Sequence, residues 1–131
     1  MKTLKDYIVN ENNFFKNLGI GQETLIRKWL DEHSVEEYTI KEDFTIDVES
    51  SVWLNNIKEN ELPEYIQFGN ISYDFGINDS NIKSLRGFPK RCNNMYIKKC
   101  PNLRNLNGLG TINHKLSLRD CSKLTSLKGG G

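Results

Sequence analysis

The sequence predicts an α+β fold in which N-terminal helices and a β-hairpin cap a short β-solenoid with ~21-residue repeats. Three observations predict it. Leu25, Ile26, Trp29 and Leu30 recur at helical spacing, residues 38–48 alternate apolar and polar with a period of two, and from about Val52 onward the chain repeats itself. The expected organisation is a helical and hairpin cap over residues 1–50 and a solenoid over residues 51–131, forming a single compact unit.

The elements follow in order. Residues 2–9 read as a short amphipathic helix with Leu4, Tyr7 and Ile8 on one side, and residues 12–18 as a further helical turn. Gly19 and Gly21 separate that turn from the run QETLIRKWLDEH, whose apolar stripe defines the main helix. Glu23 near its start and Arg27 with Lys28 further along suit the helix dipole, and Trp29 is expected as a core anchor. In YTIKEDFTIDV, Tyr38 and Ile40 precede a polar Lys41-Glu42-Asp43 bend, with Phe44, Ile46 and Val48 after it, which is a hairpin signal.

The repeat carries the most information. Cys100 and Cys121 are 21 apart, and the same step links Met95 to Leu116, Ile97 to Leu118, Leu103 to Leu124, Leu106 to Leu127 and Gly108 to Gly129. One step back from the middle copy lie Ile82, Leu85 and Gly87, with Asp79 at the cysteine position and Phe75 and Ile77 as strand residues after a one-residue slip. Val52, Leu54, Leu62 and Pro63 form a more degraded copy. Two apolar residues of a short strand point inward, the residue between them points outward, and the later leucines fill the interior as the chain turns back. The period lies in the range of leucine-rich repeats, where cysteine or asparagine after the strand bonds orphan backbone groups in the bend.

Bulk properties bound the function. A chain of 131 residues with 37% apolar content suits one domain and buries a core without disulfides. No apolar run approaches the ~18 residues of a membrane span, and residues 1–20 lack the apolar centre of a secretory signal, so neither membrane insertion nor export is expected. Cys92, Cys100 and Cys121 are an odd set and read as reduced thiols. The net charge of +1 hides a division: residues 1–81 carry 7 basic and 16 acidic side chains (7 − 16 = −9), and residues 82–131 carry 11 and 1 (11 − 1 = +10). Such asymmetry points either to an acidic or nucleic-acid partner for the basic half or to halves that solvate and attract each other.

Two resemblances add to this. The runs MYIKKCPNLRNL and LSLRDCSKLTSL resemble cysteine-containing leucine-rich repeats. Residues 29–121, with WLDEHSVEEYTIKEDFTIDVESSVWL, LPEYIQFGNISYDFGI and IKSLRGFPKRC, are similar to small leucine-rich-repeat-like proteins of T-even-like bacteriophages, in which an acidic helix-plus-hairpin cap precedes short repeats. That resemblance implies a phage protein acting in the cytoplasm of its bacterial host. The chain departs from it where Leu109-Gly110 replaces the proline expected after Gly108. MKTLKDYIVNEN is similar to the capsid-targeting peptide of T-even phage internal proteins through Met1, Lys2, Thr3, Asp6, Tyr7 and Ile8, and implies a place in the virion interior. Asn10 stands where that peptide has its cleaved glutamate.

Chemistry is sparse. The cysteines lack the close pairing of zinc ligands, and His33 and His114 stand alone, so neither a metal nor a cofactor is expected. NLGIGQET lacks the lysine and spacing of a phosphate loop. No set of nucleophile, base and oxyanion donors assembles, and the expectation is no enzyme. What remains is the outward face of the strands, where Trp53, Tyr96, Lys98, Lys99, Lys115 and Arg119 are the candidate partner-binding residues. The leading expectation is a protein-binding solenoid whose partner is a host or phage protein. Nucleic-acid binding by the basic half and packaging as a virion component are the alternatives. No closing cap is read after the last repeat, so the expectation is either self-association through the edge of Leu116, Leu118, Leu124 and Leu127 or a poorly ordered terminal repeat.

Overall fold

The computed structural model describes residues 21–124. The helices expected over 2–9 and 12–18 lie outside those residues. The main helix, α1 (Gly21–Glu32), buries Leu25, Ile26, Trp29 and Leu30 as its stripe requires. Glu23 and Arg27, one turn apart, pair at 2.9 Å on the solvent side, which adds a few tenths of a kcal/mol. The helix stops where Ser34 turns left-handed, with φ 58°, and the Val35 N–H donates to Leu30 O at 2.9 Å. That bond satisfies an orphan carbonyl, and burial of Val35 beside Leu30 completes the stop. Trp29 then seats the helix on the solenoid, its ring 6.4 Å from Phe68.

The expected hairpin forms from β1 (Tyr38–Ile40) and β2 (Ile46–Val48), antiparallel with Tyr38 opposite Val48 and Ile40 opposite Ile46. Phe44 is a turn residue with φ 67°, rather than part of the second strand. The reason is local. Asp43 accepts the Thr45 hydroxyl at 2.6 Å and the Thr45 N–H at 3.0 Å, closing the bend one residue later than alternation suggests. Those bonds, the hydroxyl first, hold the Asp43 carboxyl below its usual range.

The solenoid is a stack of four parallel rungs within a seven-stranded sheet. The first rung is β2 continued, after a bend, by β3 (Val52–Asn55), and the second is β4 (Phe68–Ile71) continued by β5 (Asp74–Asn78). The third and fourth are single longer strands, β6 (Arg91–Lys98) and β7 (Thr111–Arg119). Register aligns Val52, Phe75, Met95 and Leu116 in one inward column and Leu54, Ile77, Ile97 and Leu118 in another. In the first three rungs these side chains are 1% exposed or less; Leu116 and Leu118 are half-buried. An aromatic series, Phe68 to Phe75 at 5.3 Å and Phe75 to Phe88 at 5.1 Å, packs within the interior. Gly87 makes one of the return turns at φ 87°, where a Cβ would stand 2.6 Å from Ile66 O.

Each rung ends in a left-handed corner, at Asn56, Asp79, Lys99 and Asp120, with φ between 54° and 59°. The corner N–H reaches the next strand end: Asn56 to Asn78 O at 3.1 Å, Asp79 to Lys98 O at 2.9 Å and Lys99 to Arg119 O at 2.9 Å. The residue after the corner turns inward, so the cysteine position of the second rung belongs to Ser80 and not to Asp79. The slip falls after Ser80: Phe75 to Met95 is a step of 20, whereas Asn81 and Asn102, 21 apart, hydrogen-bond the preceding loop in the same way. Ser80 Oγ accepts the Ile57 N–H at 3.0 Å and donates to Asn78 O at 3.1 Å. Cys100 Sγ likewise donates to Lys98 O at 3.5 Å, and Cys121 Sγ to Arg119 O at 3.4 Å. Serine and cysteine share this position because each is a small donor folding back on its own strand end.

A candidate interaction face on the solenoid strands

The face follows from the inward columns. Between them, register sets Trp53, Gly76, Tyr96 and Ser117 in one outward row, and Asn55, Asn78, Lys98 and Arg119 in the next. Lys115 pairs with Asn94 in the middle of the two strands, two residues before the Tyr96–Ser117 pair. Trp53 and Tyr96 sit two rungs apart, yet their rings approach to 5.7 Å. Gly76 allows it. A Cβ on Gly76 would lie 2.3 Å from two Trp53 ring atoms, so the indole lies across the glycine and meets the tyrosine beyond. Trp53 is still 53% exposed, an unusual state for a side chain of that size.

Cations surround the tyrosine. Lys115 Nζ stands 5.9 Å from the centre of the Tyr96 ring, a cation–π distance. Tyr96, Lys98, Lys115, Ser117 and Arg119 line a shallow pocket of about 290 Å³ floored by Ile97. None of these cations makes an ion pair among the described residues, where the pairs are Arg27–Glu23, Lys41–Asp47 and Arg86–Glu61. Asp74, on the same face, is engaged by Asn94 Nδ2 at 2.9 Å. Of the six sequence-predicted residues, Trp53, Tyr96, Lys98, Lys115 and Arg119 are brought together, and Lys99 stands apart at the left-handed corner beside Lys98.

Tyr73, in the bend between β4 and β5, is 58% exposed and was not singled out by the sequence. Alternation between the buried Ile71 and Phe75 places it inward, and only the bend within the rung turns it outward, so the apolar pattern carried no signal for it.

A larger groove, about 750 Å³, lies along the return turns 84–90 and 107–111. Two of its polar side chains, Gln67 and Arg86, serve the fold. Gln67 Nε2 donates to Phe68 O and Phe88 O, each at 2.9 Å, while Arg86 bonds Leu62 O and stands 3.6 Å from Glu61.

The thiols are framework. Cys92 and Cys100 are fully buried, and desolvation pushes each thiol up to about 11, which keeps it neutral and poorly nucleophilic at ordinary pH. Among the described residues no three His, Cys, Asp or Glu side chains are grouped to hold a metal ion, and no helix is long and apolar enough to cross a membrane. No protein-family model, curated protein or solved structure shows significant similarity to the chain.

Proposed function

We propose that this chain is a phage-encoded, non-enzymatic protein-interaction module that binds a host or phage protein through the strand face of its solenoid, as a host-takeover or anti-defence factor. The observation that carries the reading is the exposed Trp53 packed on Tyr96 beside Lys98, Lys115 and Arg119, cations with no internal counter-ion among the described residues. Exposed aromatics with arginine are the side chains that dominate protein interfaces, and strands already paired in the rungs spare the ordering of the backbone that carries them. The phage origin rests on the sequence resemblance of residues 29–121 and of residues 1–12. It sets the module in the cytoplasm of an infected bacterium, with the virion interior as the alternative motivated by residues 1–12.

Pull-down from host and infected-cell lysates tests the face. The wild type is expected to retain a specific protein that Trp53→Ala and Arg119→Glu both lose, while Lys83→Ala, at an exposed turn position, keeps it. Retention by the face variants removes the reading.

A second reading, self-association through β7, is favoured by the half-buried Leu116 and Leu118. A mass that rises with concentration in light scattering supports it, and a constant monomer mass removes it. Nucleic-acid binding is weaker, because the outward rows of the first two rungs hold Trp53, Asn55, Gly76 and Asn78 and no cation. A polyanion spaced along its backbone would meet no basic track there.

A further inference from the structure

The cations of the strand face are concentrated rather than spread. Lys98 lies on the third rung, and Lys115 and Arg119 on the fourth, with rungs ~4.8 Å apart. Ser117, opposite Tyr96, is small enough to leave the notch open between the flanking Lys115 and Arg119, and its hydroxyl adds a short polar group there. The apolar part of the face lies to one side, where Trp53 leans across Gly76 onto Tyr96. The arrangement therefore presents a compact anion site adjoining an aromatic surface.

The corner beside it adds an independent observation. Three of the four left-handed corners carry Asn or Asp, the residues that tolerate that conformation, and the third carries Lys99. No ion pair or side-chain hydrogen bond holds Lys99 among the described residues; its N–H and C=O alone serve the ladder, to Arg119 O and from the Ser80 N–H. Lys99 thus adds a cation next to Lys98 at a backbone conformation that an asparagine would adopt with less strain.

We infer that this notch receives the carboxylate side chains of an acidic peptide segment of the partner, with a neighbouring apolar side chain of that segment lying on Trp53. The inference rests on the strand face being the binding face. Arginine and lysine around a small opening suit one or two adjacent carboxylates, which the planar guanidinium of Arg119 grips through paired N–H groups. A nucleic-acid strand needs phosphate contacts continuing beyond two rungs, and the face provides Asn55, Asn78 and the engaged Asp74 instead.

Fluorescence anisotropy with the full chain decides it. The probe is a labelled peptide of alternating Asp and Glu around a central Leu-Trp pair, compared with its Asn/Gln isostere and with a labelled oligothymidylate. The acidic peptide is expected to bind about tenfold more tightly than the isostere at low salt and to weaken as salt rises. Lys115→Gln combined with Arg119→Gln should lower that affinity about tenfold with an unchanged melting temperature, because both side chains are exposed. Lys99→Asn should raise the melting temperature and lower the affinity together. Equal binding of peptide and isostere, tighter binding of the oligothymidylate, or indifference to the double substitution overturns the inference. If the peptides fail while Trp53→Ala still abolishes capture of the protein partner, the acidic class falls and the binding face stands.

Discussion

The first two rungs of the solenoid and the last two share one interior and present different exteriors. Inward, Val52 and Phe75 continue into Met95 and Leu116, and Leu54 and Ile77 into Ile97 and Leu118, without a polar interruption. Outward, Asn55 and Asn78 give way to Lys98 and Arg119, while Trp53 and Gly76 give way to Tyr96 and Ser117. Between the early rungs the outward row is tied by Asn78 Nδ2 to Asn55 Oδ1 at 3.4 Å; between the later rungs Lys98 and Arg119 have no such tie. The interior fixes where a side chain stands, and the exterior is left to determine what it meets.

The sharpest way to break that comparison is to remove the interior. Phe75→Ala is expected to cost about 3–5 kcal/mol in urea unfolding, since Phe75 is fully buried between Phe68 and Phe88. Leu116→Ala, half-buried on the fourth rung, should cost clearly less. Equal losses would mean that the later rungs are packed as tightly as the early ones.

Ser80 tests the inward corner position next. Ser80→Ala leaves the Ile57 N–H without its acceptor at a buried site and should cost about 1–3 kcal/mol, whereas Ser80→Cys, which imitates the third and fourth rungs, should cost less. If the two variants match, the hydrogen bond is not what the position selects.

The buried thiols sharpen the framework reading through pH. Their folded values, about 11, lie above the reference of 9.0, so the folded state holds these protons more tightly than the unfolded state does. Their contribution to stability is complete below about pH 9 and is lost as pH rises toward 11. Denaturation midpoints between those values should fall in the wild type and fall less in a Cys92→Ala, Cys100→Ala double variant. An identical pH slope would contradict burial as the cause.

The smallest effect on stability, and a specific one, is expected at Gly76. A methyl group there must push the Trp53 ring aside, so Gly76→Ala should cost only about 1 kcal/mol yet change the near-ultraviolet circular dichroism of the tryptophan. An unchanged spectrum would mean that Trp53 does not lie across the glycine.

Most of the architecture was legible because it is periodic. The stripe of Leu25, Ile26, Trp29 and Leu30 is the buried face of α1, and the 21-residue step from Met95 to Leu116 is the register of β6 on β7. The hairpin was legible except at Phe44, where the Asp43–Thr45 bonds prevail over alternation. What escaped depends on residues that break the period. A turn one residue shorter after Ser80 shifts the cysteine position away from Asp79, and the bend within the second rung, after Ile71, turns Tyr73 outward. The candidate site was legible in membership and not in geometry. Alternation alone selects Trp53 and Tyr96 as outward, but their contact arises from the side chain that Gly76 lacks, and Lys99 belongs to a corner whose left-handed backbone no apolar pattern encodes.

The central claim is that function resides on the outward rows of the later rungs, reached from Trp53, and that the return-turn groove and the thiol interior are framework. Backbone amide chemical shifts of the full chain, followed by nuclear magnetic resonance while the acidic peptide is titrated in, test this most directly. The account predicts that perturbations gather at Trp53, Tyr96, Lys98, Lys115, Ser117 and Arg119 and leave residues 84–90 and 107–110 unmoved. Perturbations centred on those return turns, or none at the strand face, would contradict it.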